Sequence, residues 1–115
     1  IQLEGLRYND IGAIGAQHIA EALKLNATVT QLVLFDNFIG AIGAQHIAEA
    51  LKVNATLTNL DLLYNGIGVV GMQHIAAAIK VNSTVTQLDI RNNDLADSSE
   101  VLLREAWRHA AGLVL

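Results

Sequence analysis

Three histidines recur at a fixed interval, and they are the residues best suited to metal or acid–base chemistry. His18, His46 and His74 are 28 residues apart, and Glu21 and Glu49 follow the first two by three residues. A shared ion needs nitrogens about 2.0–2.1 Å away, whereas side chains on neighbouring helices start from axes about 8–10 Å apart. The third histidine has no such glutamate, and no hydroxyl recurs beside the row as a nucleophile. We therefore expect no metal, no cofactor and no enzyme activity.

Three Asn-x-Ser/Thr sequences also recur, at 26–28, 54–56 and 82–84. They could accept N-glycans in a secreted protein. The chain has no cysteine and shows no signal segment, so we predict that each asparagine ends a helix and each hydroxyl residue begins the loop to a strand. We expect a cytoplasmic protein. If the chain is a domain of an effector that a pathogen delivers into its host, the expected location is the host cytosol. The chain starts without Met, as a fragment of a longer protein or a processed product would.

Charge and hydropathy limit the classes of partner. The net charge is −4, and only 7 of 115 residues are Lys or Arg. Without a basic stripe, nucleic acid and anionic membranes are poor partners. The longest uncharged run, 62–79, contains Asn65, Gln73, His74 and three glycines. It is better explained by a strand end, a turn and a helix than by a bilayer span.

An asparagine repeats with the same period and reveals the organisation of the chain. Asn9, Asn37, Asn65 and Asn93 are 28 residues apart, and residues 9–28 match residues 37–56 at 18 of 20 positions. A fixed period in this range is typical of stacked repeats. We predict a single domain over residues 1–115. Its repeats are 1–28, 29–56 and 57–84, followed by a C-terminal capping repeat, 85–115.

Each unit is predicted to be a strand, a turn, a helix and a second turn. In the second unit, Leu32 and Leu34 alternate with Val33 and Phe35, which indicates a short strand. Residues 41–52 carry apolar side chains at helical spacing. Strands pair at about 4.8 Å and helices pack at about 8–10 Å, so a stack of units must curve with its sheet inside.

The repeated asparagine and the repeated glycines have structural explanations. A carboxamide can serve the unpaired backbone groups where a strand ladder stops. One set of glycines is predicted to form the turns and the other to permit close helix packing: Gly12, Gly40 and Gly68, then Gly15, Gly43 and Gly71.

Two segments carry a family resemblance. LTNLDLLYN (57–65) and VTQLDIRNN (85–93) match the pattern LxxLxLxxN of leucine-rich repeats. The 28-residue unit, with N-x-I/L-G-x-x-G-A/M and a full helix, resembles the ribonuclease-inhibitor-like subclass. That subclass includes repeats of NOD-like receptors, Ran GTPase-activating proteins and tropomodulin-type cytoskeletal proteins. The resemblance implies an α/β right-handed solenoid of about four repeats, a horseshoe segment with a concave parallel sheet and convex helices. It also implies that the sheet, and sometimes the loops, bind another protein.

Positions that differ between the units are the predicted binding residues. Phe35, Val33 and Leu63 are expected to form an exposed apolar centre on the concave face. Aromatic and arginine side chains with a polar rim are typical of protein interfaces. The full predicted set is Arg7, Tyr8, Val33, Phe35, Asp36, Phe38, Asp61, Leu63, Tyr64, Asp89 and Arg91.

The ends of the chain depart from the repeat. Glu4 stands where later units have leucine. It either caps the edge or turns Leu3 inward, and the weak edge could self-associate. At the other end, Asp97 and Glu100 predict a capping box for a helix over 98–110 that Gly112 terminates, followed by a last strand at 113–115. This segment resembles the closing segment of some NOD-like-receptor arrays.

The leading functional hypothesis is a non-catalytic module that binds a protein partner. Two alternatives stay open at this point. One is a GTPase regulator, by analogy with Ran GTPase-activating proteins. The other is a structural or engineered repeat protein without a natural ligand, because the near-identity of two units fits either recent duplication or design.

Overall fold

Helices and strands alternate along the chain. The computed structural model describes residues 2–3, 5–6 and 9–115, so the expectations for Glu4, Arg7, Tyr8 and the side chain of Leu3 lie outside it. In the described part, the elements are β1 (Gln2–Leu3), α1 (Gly12–Leu25), β2 (Gln31–Val33), α2 (Gly40–Leu51), β3 (Asn59–Asp61), α3 (Gly68–Val81), β4 (Gln87–Asp89), α4 (Asp97–Ala106) and β5 (Leu113–Val114).

The strands form one parallel sheet in sequence order, β1 to β5. Leu32 pairs with Leu60, and Leu60 pairs with Leu88, so equivalent residues of successive units are aligned. Each helix contacts the next along the chain. This layered stack is the predicted α/β solenoid. We call the sheet face turned away from the helices the concave face.

The core lies between the sheet and the helix layer. Leu32, Leu60 and Leu88 are buried there, as are the helix residues Ala44 and Ile47. Small residues let the helices approach closely, as predicted. A Cβ added to Gly43 would come within 3.1 Å of the Ala16 Cβ on the neighbouring helix. Gly40 has a φ of +67° and forms the turn at the start of α2, as predicted. The helix begins and ends one residue earlier than the predicted range of 41–52.

The N-terminus of α4 differs from the prediction. The residue before the helix is Ala96, and no side chain caps the helix. The predicted capping box of Asp97 and Glu100 is therefore wrong. Asp97 is already the first helical residue, and a capping side chain must come from a residue with non-helical backbone. The backbone N–H groups of Ser99 and Glu100 donate instead to the Ala96 carbonyl.

The C-terminal end of α4 also differs. The helix ends at Ala106 rather than 110, and Trp107 is the residue that follows it. The Trp107 indole N–H donates to the Ala111 carbonyl at 3.0 Å, and the Arg108 guanidinium donates to the Lys80 carbonyl. Gly112 does not terminate the helix. It leads into β5, where the predicted last strand is confirmed.

Strand β5 closes the sheet. The Leu88 N–H donates to the Gly112 carbonyl at 2.7 Å, and the Ile90 N–H donates to the Val114 carbonyl at 3.0 Å. Arg104 is exposed on α4. Within the described residues, no helix is both long and apolar enough to span a bilayer.

Candidate functional site

The repeated asparagines form a hydrogen-bonded row that joins successive units, and Asn37, Asn65 and Asn93 are buried in it. The Asn37 N–H donates to Asn65 Oδ1 at 2.9 Å, and the Asn65 N–H donates to Asn93 Oδ1 at 2.8 Å. Asn65 Nδ2 donates to the Leu34 carbonyl of the preceding unit at 2.8 Å. Each carboxamide thus serves backbone groups that the strand ladder leaves unpaired. The predicted structural role of these asparagines is confirmed.

A second row of asparagines explains the Asn-x-Ser/Thr sequences. Asn54 Nδ2 donates to the Leu23 carbonyl at the end of α1, at 2.8 Å. Its Oδ1 accepts from the Leu57 N–H, also at 2.8 Å. Asn82 makes the equivalent bonds one unit later, and both side chains are buried. The nitrogen that a glycan would modify is therefore engaged in holding two units together, in agreement with the predicted loop role.

The histidines do not converge on a common point. His18 is exposed on α1, while His46 and His74 are half-buried on the next two helices. His18 Nδ1 lies 3.8 Å from the Glu21 carboxylate on the same helix. Among the described residues, no group of three His, Asp or Glu side chains is placed to hold a metal ion.

Two predicted aspartates on the concave face accept backbone hydrogen bonds, and one of them also pairs with a predicted arginine. Asp61 Oδ1 accepts from the Leu63 N–H at 2.9 Å, and Asp89 Oδ1 accepts from the Arg91 N–H at 3.2 Å. Arg91 also donates to both Asp89 oxygens, at 3.0 and 2.8 Å. The hydrogen bond and the negative charge of Asp89 raise the pKa of Arg91. These aspartates therefore fix the ends of their strands.

Val33 is the predicted site residue whose expected exposure the structure contradicts. Its side chain is only 4% exposed, so a partner cannot make extensive contact with it. Val33 lines the floor of a groove of about 240 Å³ across β2 to β4, where a short side chain is covered by its surroundings. Phe35 and Leu63, its predicted companions, are half-buried.

Exposed apolar side chains lie at both edges of the helix layer. Leu25, Val53 and Val81 lie at or just after the C-terminal ends of the helices, and a second group lies at the edge where the helices begin. We call the edge where the helices begin the loop rim: the segments from the loop after each strand to the first turn of the next helix, residues 9–15, 36–43, 64–71 and 92–100. Phe38 is 67% exposed and Tyr64 is 56% exposed. Both have left-handed backbone, with φ of 53° and 58°, which is uncommon for bulky residues.

The two aromatic residues line a cleft of about 370 Å³ on the loop rim. Its other lining residues are Asn65, Gly66, Asn92 and Asp94. Phe38, Gly66 and Asp94 occupy equivalent positions in successive units. A Cβ at Gly66 would meet nothing within 4 Å, so the missing side chain leaves open space between the flanking units.

Sequence reasoning missed part of this rim. Ile14, Ile42 and Val70 are 73%, 64% and 58% exposed in the first helical turns. They repeat, and repeated residues were assigned to the scaffold. A signal was nevertheless present, because Ile42 falls outside the buried stripe that Ala44 and Ile47 begin.

The predicted residues therefore divide between two surfaces. Asp36, Phe38 and Tyr64 lie on the loop rim. Phe35, Asp61, Leu63, Asp89 and Arg91 lie on the concave face or its edge, Val33 is buried beneath it, and Arg7 and Tyr8 are outside the described residues.

Comparisons with known proteins agree with this architecture. A family model described as "Leucine Rich repeat" matches residues 53–76 and 81–99. No curated protein matches the chain. A solved structure, "Leiomodin-1 Actin-Binding Site 2 (ABS2)", matches 90% of this chain with a TM-score of 0.75 and 26% identity.

The chain spans 64% of the length of that leiomodin chain. The family model matches the third and fourth units, which carry the LxxLxLxxN segments, and the structural match extends over nearly all units. The sequence pattern and the fold agree with both matches, so the chain has a leucine-rich repeat fold and is similar to the leiomodin repeats over most of its length.

Proposed function

We propose that this chain is a non-catalytic module that binds a protein partner through the loop rim and the adjoining edge of the concave face. The observation that carries the proposal is the exposure of Phe38 and Tyr64, which both line one cleft. Equivalent positions in other units hold Gly66, Asn92 and Asp94, so folding does not require aromatic residues there. Exposed aromatic side chains beside polar groups are typical of binding sites on proteins.

The concave face adjoins the loop rim, and its apolar residues are less exposed than Phe38 and Tyr64. Phe35 and Leu63 are half-buried beside the loop rim, and Asp61 and Asp89 are engaged with local backbone. We therefore place the energetic centre at Phe38 and Tyr64, with the concave residues as its border.

Actin is the first partner to test, because the matching leiomodin structure is named as an actin-binding site. The experiment titrates the full chain into fluorescently labelled monomeric actin and repeats the measurement by cosedimentation with filaments. The test variant is the double substitution Phe38→Gly and Tyr64→Asn, which introduces residues that other units carry at these positions. The matched control is Leu25→Ser, because Leu25 is 89% exposed on the opposite rim.

We expect the double variant to weaken binding by more than about 1 kcal/mol and the control to bind like the parent. Equal binding by the double variant would move the site away from the loop rim. Failure of the parent chain to bind either form of actin would remove actin as the partner. Self-association through the edge strand β1 stays a prediction, which a solution mass measurement checks.

A further inference from the structure

We propose that the cleft between Phe38 and Tyr64 binds the guanidinium group of an arginine side chain presented by the protein partner. This inference rests on the proposed function and specifies its chemistry. The cleft of about 370 Å³ is large enough for one long side chain, and two exposed aromatic residues line it. A guanidinium placed over an aromatic face is attracted by the ring quadrupole.

The polar lining of the cleft favours a cation. Asp94 lines it directly, and Asp36 lies two residues before Phe38 in the same loop. Asn92 adds a carboxamide oxygen that can accept a hydrogen bond. A carboxylate beside an aromatic surface matches a planar cation that can stack and donate at once, which distinguishes arginine from lysine.

The chain does not fill this site with a cation of its own. No Lys or Arg lines the cleft among the residues that the structure describes. Arg91 is close in sequence, but its guanidinium is bound to both oxygens of Asp89. Three lysines, Lys24, Lys52 and Lys80, lie near the C-terminal ends of their helices, away from the loop rim at the helix N-termini. The rim is thus left complementary to a basic partner.

Gly66 gives the inference a specific structural basis. It separates Phe38 of one unit from Asp94 of another in the same row, and its missing side chain leaves the cleft open. Its φ is +63°, a conformation that asparagine tolerates. Gly66→Asn would therefore fill the cleft with little disturbance of the core.

The test is an amide NMR titration of the full chain with N-acetyl-arginine amide. The matched ligand is N-acetyl-citrulline amide, which has nearly the same shape and no charge. We expect saturable shifts at residues 64–66 and 92–94 with the arginine compound, and affinity at least about fivefold weaker for citrulline. Raising the salt concentration should weaken the arginine complex.

Three variants locate the ligand. Gly66→Asn should abolish the saturable shifts, Asp94→Asn should weaken arginine binding by about twofold to fivefold, and Leu25→Ser should bind like the parent. Equal affinity for arginine and citrulline, or undiminished arginine binding by Gly66→Asn with a native spectrum, would overturn the inference.

The result is separable from that of the proposed function. The arginine site alone is overturned if two results occur together. The Phe38→Gly and Tyr64→Asn variant loses partner binding, and the parent chain does not distinguish arginine from citrulline. A chain that binds arginine in the cleft, and whose double variant still binds the protein partner fully, overturns the loop-rim interface instead.

Discussion

Tyr64 and Asn65 are adjacent in the chain, but their side chains have opposite environments. Asn65 is 2% exposed, and its carboxamide bonds to backbone groups of the preceding unit and of its own. Tyr64 is 56% exposed and lines the cleft. Asn65 recurs in every unit, whereas the Tyr64 position holds Asp36 and Asn92 in the units on either side.

This contrast separates the residues that hold the solenoid together from those available to a partner. A buried carboxamide between stacked units is costly to lose, because several backbone groups lose their partners together. An exposed ring on a loop contributes little to folding but offers a large apolar contact to another protein. Sequence variation within the repeat is therefore most informative where the backbone conformation is the same in successive units and the side chain is exposed.

The largest expected effect comes from breaking the asparagine row. Asn65→Ala would leave the N–H groups of Asn37 and Ile39 and the Leu34 carbonyl without the partners they have now. At about 1–3 kcal/mol for each orphaned group, we expect the free energy of unfolding to fall by about 3 kcal/mol or more. Urea unfolding followed by circular dichroism measures this.

Asn59→Ala is the control for that prediction, because Asn59 is half-buried on the concave face and bonds to the side chains of Thr58 and Gln87. We expect it to cost less than about 1 kcal/mol. Similar losses for both variants would show that burial in the asparagine row is not the source of stability.

The next effect concerns two glycines, one directly before β5 and one on the loop rim. A Cβ at Gly112, which has a φ of +97°, would lie 1.9 Å from the Thr86 carbonyl oxygen, whereas a Cβ at Gly66 meets nothing within 4 Å. We expect Gly112→Ala to cost about 2 kcal/mol or more and to release β5, and Gly66→Ala to cost only about 1 kcal/mol of backbone strain. Denaturation and hydrogen exchange at Leu88 and Ile90 test this. A larger loss in Gly66→Ala would contradict the assignment of the rim as open surface.

On the loop rim itself, binding and stability should respond separately. The double variant Phe38→Gly and Tyr64→Asn replaces bulky side chains at left-handed positions, which relieves strain. The added flexibility of glycine offsets part of that gain. We expect the free energy of unfolding to stay within about 1 kcal/mol of the parent, while partner binding weakens by more than about 1 kcal/mol. A loss of stability as large as that of Asn65→Ala would remove the distinction between the two regions.

The smallest expected effect lies where the fourth unit departs from the others. Ser99 occupies the position of Gly71, and its buried hydroxyl has no hydrogen-bond partner among the described residues. Ser99→Ala removes that desolvated group, so we expect a gain of up to about 1 kcal/mol in the free energy of unfolding. A clear loss of stability, measured by urea unfolding, would show that the hydroxyl has a structural role.

The sequence was sufficient to predict the fold because a stacked repeat has few free parameters. Alternation at Leu32 and Leu34, helical spacing from Ala44 and the asparagine period place every unit relative to the next. The exposure of Val33 was predicted wrongly, because alternation gives the face of a side chain and not how deeply its surroundings cover it. The predicted end of α4 was also wrong, because the helix stops before Trp107, whose indole N–H donates to the Ala111 carbonyl. No local sequence pattern reveals that contact.

The candidate site was predicted only in part for a related reason. Comparing units identified Phe38 and Tyr64 because they vary, but it passed over Ile14, Ile42 and Val70 because they repeat. The exposure of a side chain depends on its position around the helix axis and on its neighbours in the stack. The fact that a residue repeats gives neither of these.

The most direct test measures partner binding and stability on the same pair of variants. Binding of labelled monomeric actin and urea unfolding are compared for the parent chain, the Phe38→Gly and Tyr64→Asn double variant, and Leu25→Ser. We predict that the parent and Leu25→Ser bind equally. We predict that the double variant loses at least about fivefold in affinity, while its free energy of unfolding stays within about 1 kcal/mol of the parent. Equal affinity of all three proteins for actin, or loss of binding only in proportion to loss of folding, would contradict the separation of fold and binding residues.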